Sequence, residues 1–127
     1  MSLPIATESQ EQRALFQWAA LQAGRHPELA LLHHIPNGGS RGKAEAARFK
    51  AEGVRAGVPD ICLPVPRGEH HGLYIELKRK FRSRISQEQA WWMEELARQG
   101  YCVAVCKGWE EAARVIIEYL ERGTTDA

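Results

Sequence analysis

Asp60, Glu76 and Lys78 are the residues of this 127-residue chain whose types and spacing point to chemistry. Glu76 and Lys78 lie two apart in the strand-like run Gly72-Leu-Tyr-Ile-Glu-Leu-Lys78, so their side chains share a face. Asp60 opens the preceding strand-like run, Asp60-Ile-Cys-Leu-Pro-Val-Pro66, and only Arg67-Gly-Glu-His-His71 separates the two. A hairpin is the economical connection, and it lets all three side chains converge. Adjacent carboxylates repel unless a cation neutralises them, and oxygen ligands of this kind suit Mg²⁺ or Mn²⁺, which also bind phosphate oxygens. An ammonium beside them orients or helps deprotonate an attacking water and offsets charge on a pentavalent phosphate. In isolation, an E-x-K triplet is equally well a pair of same-face neighbours on an exposed strand.

The elements around this set must form a scaffold. Thr7 caps a helix through Leu15, Phe16, Ala19 and Leu21 that ends at Gly24. Leu29 to Ile35 reads as a strand entering the turn formers Pro36-Asn37-Gly38-Gly39. Lys43 to Glu52 reads as a short basic helix closed by Gly53, with a second glycine, Gly57, in the following loop. Pro64, which has no N–H to donate, counts against a regular ladder in the first of these strands. Ser86 with Gln89 is a capping-box signature opening a helix that carries Trp91, Trp92 and Leu96 and ends at Gly100. Tyr101 to Cys106 is a β-rich apolar run, and Trp109 to Leu120 returns to helical spacing. The order α-β-α-β-β-α-β-α implies an α/β fold, a mixed central sheet covered by helices on both faces.

Composition allows one globular domain, expected over residues 7–122 with short flexible tails at 1–6 and 123–127. No apolar run reaches membrane-spanning length and no signal core is visible, so a cytoplasmic protein without membrane contact is expected. Cys62, Cys102 and Cys106 form no CxxC pair and read as buried free thiols. The net charge of +1 hides an uneven split. Residues 41–84 carry eleven Lys/Arg against five Asp/Glu, whereas residues 85–127 carry four against eight. A basic segment surrounding the candidate catalytic residues favours a phosphate-bearing partner.

Gly57-Val-Pro-Asp60 followed by Tyr74-Ile-Glu-Leu-Lys78 resembles the two halves of the PD-(D/E)xK nuclease motif. More narrowly, the chain resembles the virus-type replication-repair nuclease (VRR-NUC) family. The likeness runs through His34-Ile-Pro-Asn-Gly-Gly39, Gly53-Val-Arg-Ala-Gly-Val-Pro-Asp60, Gly72-Leu-Tyr-Ile-Glu-Leu-Lys78, Ser86-x-x-Gln89 and Gly100-Tyr101, and spans about residues 7 to 120. The resemblance implies a restriction-endonuclease-like fold and metal-dependent cleavage of DNA phosphodiesters. Its small stand-alone members look like homodimers acting on branched DNA such as four-way (Holliday) junctions, of phage or bacterial origin. It also implies Asp60 and Glu76 as metal ligands, the Leu77 carbonyl as a third, and Lys78 beside the water. An acidic residue on the first helix belongs to the pattern, and Glu8 matches it better than Glu11, although acidic residues in a first turn equally serve the helix dipole.

Gln89 matches a family glutamine that reaches substrate or the metal-bound water, while its capping box is a sufficient structural reason for it. Asn37, Gly38 and Gly39 match a loop that presents N–H groups to phosphate, and they are also simply a good turn. Arg41, Lys43, Arg48, Lys50 and Arg55, with Lys80, Arg82 and Arg84, are candidate DNA-backbone contacts. His33, His34, His70 and His71 alternate between faces and make no two-ligand clamp. Trp91, Trp92 and Trp109 are expected to fill the core or an interface rather than stack on bases. The rival readings are a flap or general structure-specific nuclease, a non-catalytic nucleic-acid-binding module of the same fold, and a protein in which Asp60, Glu76 and Lys78 form only an ion-pair cluster.

Overall fold

The computed structural model describes residues 4–36 and 42–123. Its elements are helix α1 (Glu8–Gln22), a 3-10 helix (Pro27–Leu31), strand β1 (His33–His34), helix α2 (Lys43–Ala51), strands β2 (Ile61–Leu63) and β3 (Leu73–Lys78), helix α3 (Gln87–Arg98), strand β4 (Cys102–Lys107) and helix α4 (Trp109–Leu120). The strands form one sheet in the order β1-β2-β3-β4, antiparallel at the first two pairings and parallel at the last. The parallel pairing arises because α3 crosses over between β3 and β4. This is the mixed α/β sheet that the element order implies.

Alternation along β3 divides the two faces. Leu73, Ile75 and Leu77 join Ile61, Leu63 and Cys106 in the core, against Leu15 and Ala19 of α1 and Ala112, Ile116 and Tyr119 of α4. Each such buried aliphatic side chain contributes about 1.5–3 kcal/mol, so this layer holds the sheet flat against α1 and α4. Tyr119 is also buried, and its hydroxyl donates to the Val65 carbonyl at 2.6 Å. The opposite face carries Tyr74, Glu76 and Lys78 and is covered by α3, which packs on β4. No residue of α3 is fully buried, which leaves that face partly open.

The capping chemistry is as the sequence implies and in one place fuller. Thr7 caps α1 and Gln10 completes a reciprocal box. Ser86 and Gln89 do the same for α3. The expected strand from Leu29 to Ile35 is mostly something else: Pro27 starts a 3-10 helix, and only His33 and His34 pair, with Cys62 and Ile61. β2 stops at Leu63, before Pro64, which has no N–H to donate. Of the thiols, Cys62 and Cys106 are buried and Cys102 is half-buried. Burial pushes Cys106 up to about 12, so it is an inert core thiol.

Candidate active site

Asp60 precedes β2 by one residue, and the loop that delivers it is tightly built. Gly57 has a φ of +93°, and a Cβ there would meet the Glu88 backbone of α3 at 2.6 Å. Only glycine satisfies both demands. Gly57→Ala is expected to destabilise the protein by roughly 2–4 kcal/mol, read as a lower urea midpoint at unchanged slope. Pro59 is fully buried behind the loop. The Asp60 carbonyl accepts from the Ile35 N–H at 2.6 Å and lies 3.0 Å from His34 Nδ1, which pins the backbone and leaves the carboxyl group free to face β3.

The β2–β3 register pairs Ile61 with Ile75 and Cys62 with Tyr74. Continued by one residue, it sets Asp60 opposite Glu76. Asp60 Oδ2 accepts from the Leu77 N–H at 2.9 Å. N–H and C=O of one strand residue point to the same edge, so the Leu77 carbonyl is also presented on the Asp60 side. Glu76 is 1% exposed and Lys78 7% exposed. Lys78 Nζ lies 3.5 Å from Glu76 Oε2, and the Gln89 amide bridges the pair, its Nε2 donating to Glu76 Oε2 at 3.0 Å and its Oε1 accepting from Lys78 Nζ at 3.1 Å. The same Oε1 accepts from the Ser86 N–H at 2.8 Å. One amide therefore both caps α3 and joins the charged pair.

Glu76 Oε1 is buried and has no hydrogen-bond partner. An orphaned carboxylate oxygen is costly, and here the neighbouring charge is a second carboxylate. Burial first, then the Asp60 charge, push the Glu76 carboxyl up to about 8, with Lys78 acting in the other direction. Asp60 is also raised by burial, against the Leu77 amide and the charges of His34 and Lys78. A proton shared between the carboxylates relieves the strain, and so does a hard divalent cation. The donor set of two carboxylates and a strand carbonyl fits Mg²⁺ or Mn²⁺. Among the described residues, no third His, Cys, Asp or Glu side chain joins the pair in a metal-holding group.

Glu8 in particular is not brought in: it is exposed in the first turn of α1. Glu11 is the buried acid of that helix, 3% exposed, and it accepts from the Trp109 N–H at the start of α4 at 3.0 Å. Lys43 is exposed at the start of α2, and Arg48, in the same helix, reaches Glu45 at 3.9 Å. Lys80 is paired with Glu110 at 3.2 Å. Arg82 adopts a φ of 58°, a left-handed backbone held by Arg79 donating to its carbonyl. Asn37, Gly38, Gly39 and Arg41 lie outside the described residues.

The strand registers add two contacts that the sequence reading did not give. His34 sits against the Asp60 backbone, which only the β1–β2 register reveals. Lys107 pairs with Lys78 in the parallel β3–β4 ladder, adding an exposed cation on the site's face. Trp109 packs against the core as expected, but Trp91 does not: it is 59% exposed. A helical apolar pattern reports which residues share a face, not whether that face is covered.

The VRR-NUC domain profile matches residues 6–110. A solved structure described as a VRR_NUC domain protein superposes with a TM-score of 0.84 at 36% sequence identity, over 98% of this chain and 96% of that one. Comparison with curated proteins finds no match. No helix among the described residues is long and apolar enough to cross a membrane. With Pro59-Asp60 at the entry to β2 and Glu76-Leu-Lys78 on the adjacent β3, the chain belongs to the VRR-NUC domain family, nucleases of the PD-(D/E)xK type.

Proposed function

We propose that the protein is a Mg²⁺- or Mn²⁺-dependent endodeoxyribonuclease that hydrolyses phosphodiesters in branched DNA such as four-way junctions, working as a homodimer. The observation that carries the reading is the half-buried Asp60 set opposite the buried Glu76, with Glu76 Oε1 unsatisfied and Lys78 alongside. Asp60, Glu76 and the Leu77 carbonyl would hold the ion, which when bound polarises the phosphoryl group and makes a water nucleophilic near neutral pH. Lys78 and Gln89 hold the attacking water: the ammonium donates to its oxygen and steadies charge developing on phosphorus, and the amide fixes the ammonium. Water attacks phosphorus, the sugar oxygen leaves and takes up a proton, and the products are a phosphate end and a hydroxyl end.

Lys43, Arg48, Lys80 and Arg82, with the newly placed Lys107, are the proposed backbone grips, joined by Asn37, Gly38, Gly39 and Arg41. Glu8 stands one turn before Glu11, whose contact with Trp109 puts the start of α1 near the Lys78 end of the sheet. Exposed there, Glu8 is proposed to act on the metal site through its charge alone, without joining the ligand group. A two-fold dimer supplies two active sites for paired cuts in a branched duplex, and light scattering in dilute solution tests it. An intact acidic-acidic-lysine set counts against a non-catalytic module.

The deciding experiment compares a labelled four-way junction, a flap and a linear duplex with Mg²⁺ or Mn²⁺, using wild type and Asp60→Ala. Paired cuts in the junction by wild type alone are expected. Preference for the flap would move the reading to a general structure-specific nuclease. Failure of the folded protein to cut any of the three would leave a binding module.

A further inference from the structure

An open surface groove of about 360 Å³ lies between the loop that delivers Asp60 and the first turns of α3, lined by Ala56, Gln87, Glu88, Trp91 and Trp92. Gln87 and Glu88 immediately precede Gln89, the residue that contacts Glu76 and Lys78. Ala56 neighbours Gly57, whose Cα is set against the Glu88 backbone in the loop that delivers Asp60. The volume is at the small end for ligand sites, roughly 300–1,000 Å³. The indoles of Trp91 and Trp92 stand edge to face, with centroids 5.6 Å apart.

The lining decides the kind of occupant. Among the described residues it carries no lysine or arginine, and it does carry the Glu88 carboxylate, so a phosphate is disfavoured. What suits it is a flat, neutral ring bearing N–H donors: indole faces for stacking, a carboxylate and an amide for an exocyclic amino group. That lining matches a nucleotide whose phosphates stay outside while its base turns in.

We infer that this groove is a nucleobase subsite: Trp91 stacks on an unpaired base next to the cleaved phosphodiester, and Glu88 and Gln87 accept from its amino group. The inference rests on the nuclease reading and narrows its substrate. In an uninterrupted duplex both faces of every base are covered, so the subsite selects DNA in which a nucleotide is unpaired or opens at low cost. A branch point, where stacking is interrupted, is such a place.

The test uses Lys78→Met protein, so that DNA is not cut, and a branched duplex carrying a single unpaired 2-aminopurine at the branch, alongside the same molecule fully paired. Quenching of 2-aminopurine on binding is expected with the unpaired probe. Adding Trp91→Ala is expected to abolish the quench and weaken binding of that probe roughly 10–100-fold, with Trp91→Phe restoring most of it and the paired control changing little. Equal quenching and affinity with Trp91→Ala would overturn the inference. So would a Trp91→Ala protein that falls from dimer to monomer in light scattering with its probe contact intact, since the face would then join two copies of the chain. Failure of the nuclease reading shows separately, as wild type cutting no DNA with Mn²⁺, and leaves the fluorescence result readable.

Discussion

Lys78→Met is expected to leave DNA bound but uncut, slowing cleavage by at least about 10³-fold, or roughly 4 kcal/mol on the barrier. Methionine matches the buried stem in length, so the α3 face keeps its packing while the ammonium shared by Glu76 and Gln89 is lost. Lys78→Arg is expected to rescue little, because a planar fork cannot take the place of a compact ammonium between an amide oxygen and a carboxylate. Asp60→Asn is expected to be as inactive for a different reason: it keeps an oxygen for the Leu77 N–H but removes the charge that a cation needs. Single-turnover cleavage beside equilibrium binding checks both. A well-folded Lys78→Met protein that cuts within tenfold of wild type would remove Lys78 from the reaction.

In chelator, the protein is expected to lose stability as pH rises from about 5 to 8, on the order of 2–4 kcal/mol, and Glu76→Gln is expected to remove most of that slope. Glu76 is an acid whose folded pKa is raised from 4.5 to about 8, so the folded state holds a proton that the unfolded chain has released. The stabilisation is therefore fully present below pH 4.5 and is lost as pH climbs through 8. The raised Asp60 contributes with the same sign. Comparing the two proteins pH by pH cancels the contributions of the groups they share. At pH 8 the variant, inactive as a nuclease, is expected to melt ~10 °C above wild type. Adding Mn²⁺ is expected to reverse the order, since the cation replaces the proton only where both carboxylates remain. A wild-type protein as stable at pH 8 as at pH 5 would show that the pair is not strained.

Reading the sequence alone reached furthest where local rules and long-range packing agree. The 2-residue alternation of β3 sorts Leu73, Ile75 and Leu77 from Glu76 and Lys78 without any knowledge of the partner strands. The Ser86–Gln89 box places the start of α3 to the residue. Leu29 to Ile35 is apolar enough for a strand, yet Pro27 suits a first helical turn and decides the outcome. Whatever depends on register was out of reach: His34 against Asp60, Lys107 beside Lys78, and the burial of Glu11 rather than Glu8 against the start of α4. Choosing between the two glutamates by motif favoured one that the fold leaves in solvent.

Asp60, Glu76, Leu77, Lys78 and Gln89, the groups of the proposed site that the structure brings together, come from one uninterrupted stretch, residues 60–89. A short stretch closes on itself with little loss of chain entropy, so the proposed hydrolytic apparatus is a self-contained cassette within the chain. Lineages are then free to lengthen the connection between β1 and α2, or to append sequence beyond α4, without realigning the reactive atoms. Descendants of one ancestral nuclease can diverge in the nucleic-acid shapes they accept while the bond-breaking step stays the same.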